Sequence, residues 1–278
     1  MAENKTPHES QSLRDEIRRL RKSLSELTPP LNVLLRRRGF KIYKKEPSED
    51  LLLPEDEFIG SFYEMMKKYS FRLFLRDVIK HQRFFRLENV TRYATAEVTK
   101  DYLEYLKAVG LAEHISDGFR LSLGPIKSFG ETLEWFIAEI FKVEFVTEAI
   151  WGLRFKRPRV GGDYDLIAKV DGAILYMEIK SSPPKQIYQK EISAFFDRVS
   201  DLSSEISIFF VDTELRMKDK IVLMFDEELK KRLTTTPKVT RIEKELFQIW
   251  DKIFIINAKD SITANIEKVL SWYFRRSL

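Results

Sequence analysis

The 278-residue chain has no cysteine and only three histidines, His8, His81 and His114. Disulfides and thiolate metal centres are therefore excluded. The histidines are far apart and form no HxxxH pair, so neither a zinc site nor a Cys- or His-based nucleophilic centre is expected. No apolar run approaches the ~20 residues of a membrane-spanning helix. The polar N-terminus lacks the apolar core of a secretion signal, and the expected location is cytoplasmic. Repeats and low-complexity tracts are also missing. What the chain does have is 44% hydrophobic and 33% charged residues, enough to bury a core. Its net charge of +5 permits a polyanionic partner without identifying one.

Three regions follow from the patterning. Residues 1–56 comprise an N-terminal helix and a linker. Leu13, Ile17, Leu20, Leu24 and Leu27 alternate at spacings of four and three, a short heptad seam that suits either packing on the protein itself or a homodimer through residues 13–27. Pro29-Pro30 ends it, and a basic run, Arg36-Arg37-Arg38, leads into an arm. Residues 57–124 read as helix, short helix, longer helix and two strands around Asp117-Gly118. That order resembles a winged helix-turn-helix. The outward residues of its longer helix, Glu97, Lys100, Asp101, Glu104 and Lys107, are mixed in sign, so a DNA-docking and a protein-docking role both stay open. Residues 125–278 change to α-β-β-β-α-β: a helix over 130–143, a strand over 146–155, a hairpin, a helix over 186–203 and a strand over 205–211. Helices are expected near 226–233 and 240–251, then a strand over 253–258 and a last helix to Phe274.

The hairpin, GGDYDLIAKVDGAILYMEIKSS, places charges in strands otherwise suited to burial. Asp171-Gly172 is a preferred two-residue turn. Counting back from it sets Asp165 opposite Glu178 and Asp163 opposite Lys180, and alternation brings all four to one face. Two directly opposed carboxylates repel. A hard divalent cation would offset that repulsion, since Mg²⁺ takes one or two carboxylates plus water and phosphate. A solvated sheet face with an Asp163–Lys180 ion pair would show the same residues, and geometry leaves both readings open.

Gly161-Gly162-Asp163-Tyr164-Asp165-Leu166, followed by Glu178-Ile179-Lys180 with twelve residues between Asp165 and Glu178, resembles the D…ExK signature of the PD-(D/E)XK nuclease superfamily. The order αβββαβ over about residues 128–212 is the core of that family. The family's glutamate on the first core helix is matched by Glu134 in Gly130-Glu131-Thr132-Leu133-Glu134, with Glu131 one turn earlier. The usual proline of the first motif is absent. The resemblance, with an arrangement similar to Mrr-type restriction enzymes, implies a restriction-endonuclease-like α/β domain with a mixed sheet behind a mostly helical, winged-helix-like region. It implies Asp165 and Glu178 as ligands of Mg²⁺ or Mn²⁺, Lys180 as the residue that positions water, Glu134 as a helper, and DNA as substrate. Asp163 falls outside the matched motif and is expected to be a helper or an ion-pair partner of Lys180. Arg154, Lys156, Arg157 and Arg159 crowd the approach to the hairpin and suit phosphate contact. Lys185, Gln189 and Lys190 are expected to face the site from the following helix. An RNA nuclease, or a nucleic-acid-binding subunit that keeps the fold without turnover, remains an alternative.

Overall fold

The computed structural model describes residues 29–156, 159–235 and 237–276, with Glu16, Arg19 and Ser23. The seam residues Leu13, Ile17, Leu20, Leu24 and Leu27, and Arg157, lie outside the described residues.

Alternating apolar side chains build the centre. In the strand Ile206–Val211 every residue is buried, Ile208 and Phe210 in one hydrophobic cluster, Phe209 and Val211 in the other. A strand with both faces covered is the mark of a sheet packed between helical layers. The chain order is α1 (Leu31–Arg37), β1 (Ile42–Lys44), α2 (Ile59–Met66), α3 (Tyr69–Lys80), α4 (Leu87–Val90), α5 (Ala96–Ala108), β2 (Ala112–Ile115), β3 (Gly118–Leu121), α6 (Gly130–Val143), β4 (Glu148–Phe155), β5 (Tyr164–Val170) and β6 (Ala173–Lys180). There follow α7 (Gln189–Leu202), β7 (Ile206–Val211), α8 (Leu223–Arg232), β8 (Thr240–Glu243), β9 (Leu246–Ile249), β10 (Ile253–Asn257) and α9 (Ile262–Arg276). Among the described residues, no helix is long and apolar enough to cross a membrane.

Eight strands form one mixed sheet in the order β1-β4-β5-β6-β7-β10-β9-β8. β4, β5 and β6 are antiparallel, and β6, β7 and β10 run parallel. One face packs on α6 and α9 and joins the core of α2, α3 and α5 through Phe62, Phe71, Phe136 and Phe210. The other face packs on α7 and α8 through Tyr176, Phe195, Phe209 and Phe225. The expected arm contributes Ile42–Lys44 as an edge strand against β4.

The central hairpin has the predicted register. Asp171 (φ 47°) and Gly172 (φ 87°) are both left-handed, as its two-residue turn requires, and Leu166 to Val170 pair with Met177 to Ala173. Two local expectations need correction. The turn between β2 and β3 is Ser116-Asp117, one residue earlier than expected, because Phe119 is locked by paired backbone hydrogen bonds to Phe85, both 2.8 Å, which draws Gly118 into the strand. The segment expected as a helix near 240–251 is the hairpin β8–β9. Its helix-forming residues yield to the exposed ladder edge of β10, on which Ile249 and Phe247 pair and bury.

Candidate active site

Strands β5 and β6 are paired as far as Leu166 and Met177. Beyond that point Asp165 Oδ2 accepts the N–H of Ile179 at 2.7 Å. A side-chain carboxylate thus closes the ladder just where Asp165 stands beside Glu178.

Glu178 is buried, at 2% exposure, and each of its carboxylate oxygens has a hydrogen-bond partner. Lys180 Nζ donates to Oε1 at 2.6 Å. Arg198 Nη1, from α7, donates to Oε2 at 2.9 Å, and the Tyr176 hydroxyl donates to the same oxygen. Glu191, also on α7, lies 3.7 Å from Lys180 Nζ. Burial works against the charge of Lys180, but Asp165 and Glu178 outweigh it and hold the ammonium above the ordinary lysine range. Lys180 is a fixed cation here, not a base.

Asp165 behaves oppositely. Burial, then the neighbouring charge of Glu178, pushes its carboxyl up to about 7. Glu134 is also raised, first by burial, then by Asp165 and Glu131. Glu134 reaches this cluster across Gly152, which lies between the paired positions Trp151↔Leu166 and Leu153↔Tyr164 and so opposite Asp165. Gly152 has φ +57°, and a Cβ there would stand 2.3 Å from Pro47 Cδ and 3.7 Å from Glu134 Oε2. Both the backbone and the crowding call for glycine. Glu131 turns elsewhere and accepts the N–H of Asp50 at 2.9 Å.

Asp163 does not pair with Lys180. It forms a two-pronged ion pair with Arg154, at 2.6 and 2.7 Å. The cause is the third strand: the β4–β5 register that sets Leu153 opposite Tyr164 also sets Arg154 opposite Asp163. Reading the hairpin alone leaves that neighbour out. Of the remaining basic loop, Lys156 and Arg159 line an open pocket of about 410 Å³ with Arg38, Asp201 and Glu205, at the C-terminal end of α7. Gln189 turns away from the site and donates to Met224 O and Glu228, both at 3.0 Å.

Arg198 was not among the expected residues. Its only signal is its spacing from Glu191, seven residues earlier on the same helix face beside the apolar Ile192 and Phe195. A Cβ on Gly162 (φ +97°) would lie 2.6 Å from Arg198 Nη2. The missing side chain gives the guanidinium its slot beneath Glu178.

Among the described residues, no three His, Cys, Asp or Glu side chains form a group that could by itself hold a metal ion. The donor set nonetheless fits a hard cation completed by water and substrate. It consists of carboxylate oxygens, two of the three groups are destabilised as anions, and Asp165 is partly exposed.

No protein-family model and no curated protein matches this chain. Solved structures similar to this chain include the following two. One is Can2 from Sulfobacillus thermosulfidooxidans, in complex with cyclic tetra-adenylate: TM-score 0.49 and 15% identity, over 86% of this chain and 59% of that one. The other is protein VC1899 from Vibrio cholerae: TM-score 0.50 and 11% identity, over 86% of this chain and 60% of that one. The chain thus spans less than two thirds of the length of either structure. The likeness to VC1899 is one of fold: a mixed α/β architecture around a large mixed sheet.

Proposed function

We propose that this protein is a metal-dependent nuclease of the PD-(D/E)XK type, with a restriction-endonuclease-like domain behind a winged-helix-like one, and that it hydrolyses phosphodiester bonds in DNA. The observation that carries the reading is the convergence of Asp165, Glu178 and Lys180 where β5 and β6 part, with Lys180 Nζ 2.6 Å from Glu178 and Glu134 within electrostatic reach.

Asp165 and Glu178 would hold Mg²⁺ or Mn²⁺, with Glu134 assisting. The ion, when bound, polarises the phosphate and favours ionised water. Lys180 carries a permanent positive charge on the same side of the sheet. It orients water and opposes the negative charge that develops on the phosphate. Arg198 and Tyr176 hold Glu178 in one orientation, so the carboxylate is arranged before substrate arrives. Lys156 and Arg159 supply further cations near the C-terminal end of α7.

The test is incubation of purified protein with single-stranded, duplex and branched DNA and with RNA, in Mg²⁺, Mn²⁺ or EDTA. Cleavage of DNA with metal, lost in EDTA and in Asp165→Ala, is expected. Cleavage confined to RNA would reassign the substrate. Binding without cleavage under any metal would replace the enzyme by a non-catalytic nucleic-acid-binding subunit.

A further inference from the structure

The rim of this site carries an aromatic ring that the fold leaves uncovered. Tyr188 precedes α7 and is 61% exposed, although its neighbour Ile187 is 1% exposed. Its backbone is fixed: the N–H donates to Glu191 Oε2 at 2.9 Å, and its carbonyl accepts the Glu191 N–H at 3.0 Å. The other oxygen of Glu191 lies 3.7 Å from Lys180 Nζ. One carboxylate therefore ties the base of the Tyr188 ring to the cation of the site. Lys220 stands 5.9 Å from the ring centroid and is itself held by donating to the carbonyl of Lys185 at 2.9 Å. Lys185 and Lys190, before and after Tyr188 in the chain, are exposed.

An exposed aromatic ring beside a lysine ammonium, on a fixed backbone and with further exposed lysines close by in the chain, has the composition of a base-stacking platform. An apolar partner protein would meet three lysines here. A duplex presents no free base face, because its bases are stacked on each other. An unpaired nucleobase offers a π-face for the ring and phosphates for the lysines. We propose that Tyr188 stacks on an unpaired base next to the scissile phosphate, with Lys185 and Lys220 contacting its flanking phosphates, so that the site selects single-stranded or locally unpaired nucleic acid. This rests on the hydrolytic reading of Lys180 and its neighbours, and it names the substrate form that the site takes.

Anisotropy in EDTA, with labelled single strands of about 12 nucleotides in DNA and RNA and a duplex of the same sequence, measures binding apart from cutting. Tyr188→Ala should weaken single-strand binding by about 5- to 150-fold, the range of one stacked base, and leave duplex binding unchanged. Tyr188→Phe should bind like the parent. The pair Lys185→Ala and Lys220→Ala should lower the salt slope by about 1.4. Unchanged binding in Tyr188→Ala, an equal loss on duplex, a loss in Tyr188→Phe, or no single-strand binding by the parent would overturn the platform. Cleavage is scored separately. A parent that binds through Tyr188 but cuts nothing overturns the hydrolytic reading alone, and a parent that cuts while Tyr188→Ala binds normally overturns the platform alone.

Discussion

Arg72 of α3 and Asp212, the residue after β7, form an ion pair sealed inside the protein, with Arg72 1% and Asp212 0% exposed and Nη2 2.9 Å from Oδ1. Arg76 reaches the other carboxylate oxygen at 2.5 Å. The backbone N–H of Asp212 donates to Lys180 O at 2.8 Å. The helical region is thus fastened to the strand end that carries Lys180.

Asp212→Ala leaves two guanidinium groups beside an emptied, dry position. Breaking a buried pair from one side costs about 3–5 kcal/mol. A loss of that size is expected in urea unfolding, and a loss under about 1 kcal/mol would mean that water reaches the site.

The acidic residues should differ in what their removal does to stability. Asp165→Ala removes a carboxylate that is raised to about 7 by burial and by Glu178, so the metal-free protein should melt at the same or a higher temperature while cleavage is lost. Glu178→Ala strands Lys180 and Arg198 and should cost about 3 kcal/mol as well as activity. Lys180→Ala should keep metal binding by calorimetry but lose turnover. Retained cleavage in Asp165→Ala would remove the assignment.

Stability should also fall with pH. The Asp165 carboxyl titrates near 7 in the folded chain, against about 3.9 when unfolded. Between those values the folded state binds more protons, so each rise in pH favours unfolding; Glu134 is raised and acts in the same direction. Melting temperatures in EDTA should decline from about pH 4 to pH 7, and Asp165→Asn should flatten the decline. A profile that rises across this window in both proteins would contradict it.

In the basic loop, Arg154 is already committed to Asp163, whereas Lys156 and Arg159 are exposed. Replacing Lys156 and Arg159 together by Ala should reduce the salt slope of duplex binding by about 1.8, and Arg154→Ala should change it less. The larger effect in Arg154→Ala would reverse their roles.

The central hairpin was legible because its turn and its alternation both depend on adjacent residues. Asp171-Gly172 set the register, and the register set Asp165 beside Glu178. Helix α6 was legible from its apolar periodicity and its start at Gly130. What could not be read depends on partners outside the segment being read, whether near or far along the chain. Asp163 went to β4, β8 and β9 were made strands by β10, and Arg72 meets Asp212 across 140 positions. Arg198 carries too little local pattern to mark it as the support of Glu178.

The two-residue turn has a consequence for insertions. Asp165 and Glu178 face each other only because equal lengths of strand lead back from Asp171 and Gly172. One extra residue between Leu166 and Val170 would send Asp165 to the opposite side of the sheet and bring an apolar side chain to its place. The acidic pair would then be lost with every one of its members still encoded, so chain length between the two motifs is as much a part of the site as the motifs themselves.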